Sequence, residues 1–205
     1  MAAKGYKVSG YDVNEYVVAT INQGKIHIVE PGLDHAVGQS VKTGNLSAST
    51  AVTVSDVYII CVPTPITLVG PATPVPNLKY INEVVDTIAP ILKAGDLIIL
   101  ESTSPVGTTA GIKVRLENMG VQTKGLLFAC CPERVIPGNV MIEIVENDRI
   151  VGGLTPDATA FAADFYRTFV SGEILQTNSQ TAEMAKLAEN ASRDVNIAFA
   201  NELSM

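Results

Sequence analysis

Three short apolar runs constrain the fold of this sequence more than any other feature. They cover residues 56–63 (DVYIICVP), 96–102 (DLIILES) and 125–133 (GLLFACCPE). Continuous runs rich in β-branched and other apolar residues are typical of strands that are covered on both faces. Helical periodicity fills the intervals at 77–95 and 105–120. Strands and helices that alternate at this spacing predict βαβ units around a mainly parallel sheet.

The flanking segments extend the same alternation. We predict strands at 7–13, 149–153 and 172–178, a helix at 156–170 capped by Thr155, and helix from Ser179 to the end. Residues 67–77 are predicted to form a loop. The fold class is therefore α/β, with a Rossmann-like, doubly wound, mainly parallel sheet. Residues 1–178 are predicted to form the nucleotide-binding domain, and residues 179–205 to begin a long connecting helix.

Composition excludes several classes of function. The 205 residues carry a net charge of −7, and no basic stripe is present, so a nucleic-acid partner is not expected. No apolar run approaches the ~18–20 residues that cross a bilayer, so no membrane partner is expected. The three cysteines, two of them adjacent, do not form a disulfide framework, which favours a reducing cytoplasm. The spacing of His27 and His35 supports no metal site.

Polar residues follow the predicted strands, where open parallel sheets bind ligands. They are Asp12, Thr64, Ser102, Thr103 and Glu133. Asp12 is either a ribose ligand, which would favour NAD over NADP, or a turn residue before Asn14. The hydroxyl-rich segment 101–107 (ESTSPVG) is either an anion or ribose site at a helix start, or a plain cap made by Ser104.

Two further groups of residues suggest chemistry. In CPERVIPG, Glu133 is a candidate to order a water or act as a base, and Arg134 to bind phosphate or carboxylate. The alternative is a surface loop with an Arg–Glu pair. In the last helix, Lys186, Asn190 and Arg193 share one face and are candidates to hold an anionic substrate, with Lys186 exchanging a proton. The alternative there is a solvated face paired with Glu183 and Glu189.

Six stretches together resemble the UDP-glucose/GDP-mannose dehydrogenase family over essentially the whole chain. They are NQGKIHIVEPGLD, VPTP, LESTSPVGTT, CPERVIPG, NDRIVGG and TAEMAKLAENASRDVNIAFANELS. The resemblance is strongest to the branch that acts on acetylated sugars. The glucose branch carries a second glutamate four residues after the first, and that position is Pro137 here.

The resemblance implies oxidation of the C6 alcohol of a UDP-sugar to a carboxylate, with NAD used twice in succession. It places cofactor contacts at Asp12, Thr64 and Thr103. It makes Lys186 the catalytic lysine, Asn190 its neighbour in the site, and Glu133 the residue that handles water. Substrate contacts are implied at Arg134, Val135, Lys186, Asn190 and Arg193. The full-length enzyme is expected to be a homodimer.

Two features of the family are not found in this sequence. Its nucleophilic cysteine follows the lysine helix and matches none of Cys61, Cys130 and Cys131. Its glycine-rich loop lies ~20 residues before the acidic residue, whereas eleven residues precede Asp12. We therefore expect an N-terminal βα turn and a C-terminal half outside this sequence. Residues 1–8 would end the first helix and turn at Gly5 into the second strand.

A chain of this length is accordingly expected to bind NAD weakly, to be inactive alone, and to expose apolar residues on its last helix. Within the family, UDP-N-acetylglucosamine and UDP-glucose remain alternative substrates. Two further alternatives remain open from the residues. One is a non-catalytic nucleotide-binding or association module. The other is a 6-phosphogluconate or hydroxyacid dehydrogenase relative, which would share the sheet and a lysine helix but not CPERVIPG.

Overall fold

The computed structural model describes residues 1–70 and 73–205, so part of the predicted loop at 67–77 lies outside the described residues. The strands are β1 Val8–Tyr11, β2 Leu46–Ser49, β3 Val57–Ile60, β4 Ile66–Val69, β5 Thr73–Pro76, β6 Leu97–Leu100, β7 Leu127–Cys130, β8 Arg149–Gly153 and β9 Ile174–Asn178. The helices are α1 Glu15–Asn22, α2 Leu33–Lys42, α3 Lys79–Ile88, α4 Thr108–Asn118, α5 Val140–Glu146, α6 Pro156–Arg167 and α7 Ser179–Leu203.

The chain divides into two compact units. The first unit comprises Met1–Ser55, Arg134–Asp148 and Asp164–Ile174. The second unit comprises Asp56–Glu133, Arg149–Ala163 and Leu175–Met205.

A five-stranded sheet of order β3-β6-β7-β8-β9 is the centre of the second unit. β3, β6 and β7 are parallel, with Val57 opposite Leu97 and Leu97 opposite Leu127. β8 runs antiparallel to β7. The predicted α/β fold with a mainly parallel sheet is confirmed, and the three apolar runs are its adjacent parallel strands.

The core of the second unit lies between this sheet and two helices. α3 contributes Ile81 and Val85, and α4 contributes Ile112 and Leu116, each buried at the predicted helical spacing. α3 ends at Ile88 rather than extending to residue 95, because Pro90 has no N–H for a continuing helix. All four residues of β6 are buried, as expected for a strand covered on both faces.

Two consecutive glycines in β8 allow helices to start directly against the sheet. A Cβ added to Gly152 would overlap the carbonyl oxygen of Asn178 and lie 2.9 Å from the Ser179 nitrogen. Asn178 is the N-cap of α7, where its Oδ1 accepts from the Thr181 N–H at 2.9 Å. Gly152 therefore permits the first turn of α7 to approach the main chain of β8.

The first unit contains a two-stranded parallel sheet, β1-β2, with Val8 opposite Leu46. The predicted turn is present at Gly5, which follows a 3₁₀ turn and has φ of 92°. α2 and β2 were not predicted, since LSAS carries no strong strand signal.

In the second unit, β4 and β5 form an antiparallel hairpin in which Ile66 pairs with Pro76, so the prediction of a loop at 67–77 was wrong for the described residues.

Glu30 holds the start of α5 in the first unit. Its side chain is buried, and its two carboxylate oxygens accept from the Gly138 N–H at 3.0 Å and the Val140 N–H at 2.9 Å. These bonds fix the end of the 134–139 loop. The sequence prediction did not single out Glu30.

Replacing Glu30 by glutamine is expected to lower the free energy of unfolding by about 1–3 kcal/mol. An amide has one acceptor oxygen, so one of the two main-chain N–H groups would lose its partner and face the amide NH₂ of the buried side chain. Urea denaturation measures the change, and the exposed Glu173→Gln is the control. Equal midpoints for the two variants would contradict this role of Glu30.

Candidate functional site

The carboxyl ends of β3 and β6 are joined by hydroxyl groups. Ser102 Oγ accepts from the Val62 N–H at 2.9 Å and donates to the Val62 carbonyl at 2.8 Å. Thr64 Oγ1 donates to the Thr103 carbonyl at 2.6 Å. Thr64 and Thr103, both predicted to contact the cofactor, are therefore brought together on a fixed segment at the ligand-binding edge of the sheet.

The N-terminus of α4 is capped differently from either alternative considered for ESTSPVG. The Ser104 hydroxyl is buried and has no hydrogen-bond partner among the described residues. Instead, the Gly107 and Thr109 N–H groups donate to the carboxylate of Glu183, at 2.6 Å and 2.7 Å. Glu183 is 1% exposed, so the alternative that placed it on a solvated face of the last helix does not hold for this residue.

Glu133 is held by a residue that the sequence prediction missed. Its Oε2 accepts from Arg149 Nη1 at 2.9 Å. The Arg149 side chain is 1% exposed, whereas that of Glu133 is 33% exposed. Because β8 is antiparallel, its first residue, not its last, lies at the carboxyl end of β7. The charged NDR segment before β8 was the available sequence signal.

Arg149 keeps its positive charge in this setting. Burial alone would lower the pKa of its guanidinium, but the hydrogen bond to Glu133 and the nearby Glu133, Cys131 and Glu101 outweigh that effect and raise the pKa. Arg149 therefore provides a fixed cation that orients the half-exposed Glu133 carboxylate.

The predicted polar face of α7 is present. Arg193 Nη2 donates to Asn190 Oδ1 at 2.8 Å. Lys186 Nζ lies 3.5 Å from Glu189 Oε2, and its side chain is 12% exposed. α7 packs against β7 and β8, the strands next to Glu133 and Arg149. The Lys186 side chain is therefore largely buried, and its ammonium group forms a long ion pair with Glu189.

The first unit holds the remaining predicted residues. Asp12 follows β1 and is half-buried, and its Oδ1 accepts from the Asn14 N–H at 2.8 Å. Asn14, not Asp12, caps α1 through the Tyr16 N–H. The turn role of Asp12 is therefore real, and it engages one carboxylate oxygen. Arg134 Nη1 donates to the Asp148 carbonyl at 3.4 Å, and Val135 is half-buried.

None of the three cysteines is in the state of an activated nucleophile. Desolvation, followed by the charges of Glu101 and Glu133, raises the pKa of the Cys61 thiol to about 11. Burial, followed by the charge of Glu183, raises the pKa of Cys130 far above its ordinary value. Cys131 is fully buried. That the nucleophile of the family lies outside these three residues stays a prediction.

Metal-ligand clusters and membrane-spanning helices were also sought among the described residues. Within them, no group of three or more His, Cys, Asp or Glu side chains is arranged to hold a metal ion. No helix in the described ranges is both long and apolar enough to cross a bilayer.

Comparison with known proteins decides the family. Residues 1–170 match the UDP-glucose/GDP-mannose dehydrogenase family, NAD binding domain, and residues 180–205 match the central domain of the same family. The chain belongs to the UDP-glucose/GDP-mannose dehydrogenase family. The resemblance deduced from the sequence is confirmed, and the chain carries the NAD-binding domain of that family.

Two curated relatives show which members of the family this chain resembles. The chain is 46% identical to UDP-N-acetyl-D-mannosamine dehydrogenase of Yersinia pestis, covering 100% of this chain and 50% of that protein. It is 47% identical to NDP-N-acetyl-D-galactosaminuronic acid dehydrogenase of Ralstonia nicotianae, again over 100% of this chain and 50% of the relative. The chain spans about half the length of the curated relatives it matches.

A solved structure shows the same fold. UDP-D-ManNAc dehydrogenase from Pyrococcus horikoshii is 42% identical and superposes with a TM-score of 0.91 over 98% of this chain and 48% of that one. The roles of individual site residues in this member of the dehydrogenase family, and a domain boundary at residue 178, stay predictions.

In this family member, Cys61 is expected to react with iodoacetamide about 10- to 30-fold more slowly near neutral pH than it does in the urea-unfolded chain. A raised pKa leaves less thiolate, and the partly compensating higher nucleophilicity of that thiolate limits the effect. The rate should increase with pH up to about 11. Mass spectrometry of the Cys61 peptide provides the measurement. A rate that levels off near the ordinary thiol pKa would contradict the prediction.

Proposed function

We propose that this chain is the nucleotide-binding half of a NAD-dependent UDP-sugar 6-dehydrogenase that oxidises the C6 alcohol of UDP-N-acetyl-D-mannosamine to the uronate. The observation that carries this proposal is the row of Lys186, Asn190 and Arg193 on α7, a helix that packs against β7 and β8, together with the Glu133–Arg149 ion pair next to those strands. Relatives of that name and Pro137 in place of the second glutamate favour the acetylated sugar.

Each of the two units carries residues that are proposed to contact the dinucleotide. Asp12 engages one carboxylate oxygen in its turn, which leaves the other to accept a ribose hydroxyl. In the second unit, Thr64 and Thr103 are proposed to contact the cofactor from the joined ends of β3 and β6. When bound, NAD would supply the oxidant for the sugar carbon.

The chain's own side chains would manage charge and protons. Lys186 exchanges a proton with the C6 oxygen, and its limited solvent exposure strengthens that interaction. Asn190 and Arg193 orient the sugar from the same helix face, with Arg134 and Val135 as further substrate contacts. Glu133, held by Arg149, orders the water that enters at the aldehyde level.

The full-length enzyme is proposed to be a homodimer, in which the apolar residues exposed on α7 lie in the interface. They include Val195, Phe199 and Leu203. Cys61, Cys130 and Cys131 form no disulfide among the described residues, and we propose a reducing cytoplasm as the site of action. A second candidate substrate is the galacto-configured N-acetylated sugar, favoured by the Ralstonia relative.

The test is NADH formation by the full product of the reading frame that contains this chain, hereafter the full product. UDP-N-acetyl-D-mannosamine should give the highest kcat/KM among UDP-N-acetylmannosamine, UDP-N-acetylgalactosamine, UDP-N-acetylglucosamine and UDP-glucose. NADP should replace NAD poorly, since a 2′-phosphate would meet the Asp12 carboxylate. Absence of NADH with all four sugars would refute the proposal and favour a non-catalytic module. The 205-residue chain alone should show no turnover.

A further inference from the structure

The carboxylate of Glu183 accepts three hydrogen bonds that the proposed function does not use. Its carboxylate accepts from the Gly107 N–H at 2.6 Å, the Thr109 N–H at 2.7 Å and the Thr109 hydroxyl at 2.6 Å. These are short, charge-assisted hydrogen bonds, and the carboxylate is fully buried. One side chain of α7 therefore satisfies the first turn of α4.

These contacts are electrostatically favourable because a helix N-terminus attracts negative charge. Gly107 precedes α4 and offers no side-chain cap of its own. An internal carboxylate thus occupies the place where a Rossmann-type helix would otherwise accept a ligand anion. The contact therefore has a structural role: it joins α7 to the start of α4 rather than binding a ligand.

The position of Glu183 in the chain shows what it connects. It lies three residues before Lys186, on the same side of α7. At the other end, Gly107 terminates the short segment that begins after β6 and contains Thr103. Thr64 fixes the middle of that segment through the Thr103 carbonyl, and Glu183 fixes its end.

We propose that Glu183 is a positioning residue, which sets Lys186 on α7 at a fixed place relative to the Thr103 segment. The catalytic consequence rests on the proposed function, because Lys186 and Thr103 would then contact the sugar and the cofactor. Each ligand would bind with its own contacts intact if this link were lost, but the reacting groups would be misaligned.

The variant Glu183→Gln isolates the link. It keeps the size of the side chain, yet in either orientation its amide group would face one main-chain N–H and leave that donor without an acceptor. Glu202→Gln, in the exposed last turn of α7, is the matched control. Thr109→Val removes one of the three bonds and should give a smaller effect in the same direction.

In the full product, Glu183→Gln should lower kcat by about 10- to 100-fold, while the dissociation constants of NAD and of UDP-sugar, each measured alone, change by less than about 3-fold. Glu202→Gln should leave all three unchanged. A folded Glu183→Gln protein with unaltered kcat, or one in which loss of binding accounts for the whole effect, would overturn the proposal.

A measurement without substrate separates this proposal from the proposed function. In the 205-residue chain, Glu183→Gln should speed hydrogen exchange of the Gly107 and Thr109 amides and of the first turns of α7, relative to Glu202→Gln. Unchanged exchange would refute the link even if the full product is an active dehydrogenase. An inactive native full product with faster exchange in the variant would refute the function alone.

Discussion

Replacing Lys186 by methionine in the full product is expected to lower kcat for UDP-sugar oxidation by about 10²- to 10⁴-fold. Methionine preserves much of the volume of the buried lysine stem but cannot exchange a proton with the C6 oxygen. The Lys186 side chain is 12% exposed, and its Nζ lies 3.5 Å from Glu189 Oε2. Steady-state NADH formation gives kcat and KM.

Two companion variants define the role of Lys186. Lys186→Arg keeps the positive charge but not a readily transferable proton, so KM should be nearly retained while kcat stays low. Lys113→Met removes an exposed lysine that pairs with Glu117 on α4, and its kcat should match the native value. A Lys186→Met variant with native kcat and a raised KM would assign this residue to substrate binding alone.

Replacing Gly152 by alanine is expected to lower the free energy of unfolding by about 2–4 kcal/mol. The added methyl group would overlap the Asn178 carbonyl, which is main chain and cannot rotate away. Either β8 or the start of α7 must shift, and the shift would disturb the N-cap of that helix. Urea or thermal denaturation provides the measurement.

Gly111 is the matched control for this prediction. It lies inside α4, and a Cβ added there would meet no atom within 4 Å. Alanine at Gly111 should therefore raise the free energy of unfolding by about 0.5–1 kcal/mol, because it is the better helix former. Opposite signs for the two glycines are expected. A Gly152→Ala protein as stable as the native chain would show that β8 and α7 can separate without cost.

The features that could be predicted from the sequence are those set by local residue pattern. Apolar runs identified β3, β6 and β7, and helical spacing identified α7 with its Lys186, Asn190 and Arg193 face. The hairpin of β4 and β5 was missed because its two prolines indicate a loop when read locally. A two-stranded ribbon tolerates proline, since each strand has an edge that needs no ladder bond.

The sequence could not predict which carboxylates hold the main chain together. Glu183 and Gly107 are 76 residues apart, and Glu30 and Val140 are 110 apart. Their partners are N–H groups, which every residue except proline carries, so no side-chain pattern marks the contact. The contact of Arg149 with Glu133 could not be predicted for a related reason. It depends on the antiparallel direction of β8, which the local sequence does not reveal.

The bonds made by Glu30 have a consequence for how the 134–139 loop tolerates substitution over evolution. They end on the N–H groups of Gly138 and Val140 and are independent of the side chains between them and Glu133. Val135 and Ile136 can therefore mutate while the loop that presents them keeps its anchor. Under the substrate role proposed for Val135, a few substitutions in this loop would alter its side chains at the sugar without changing the main-chain contacts that hold it.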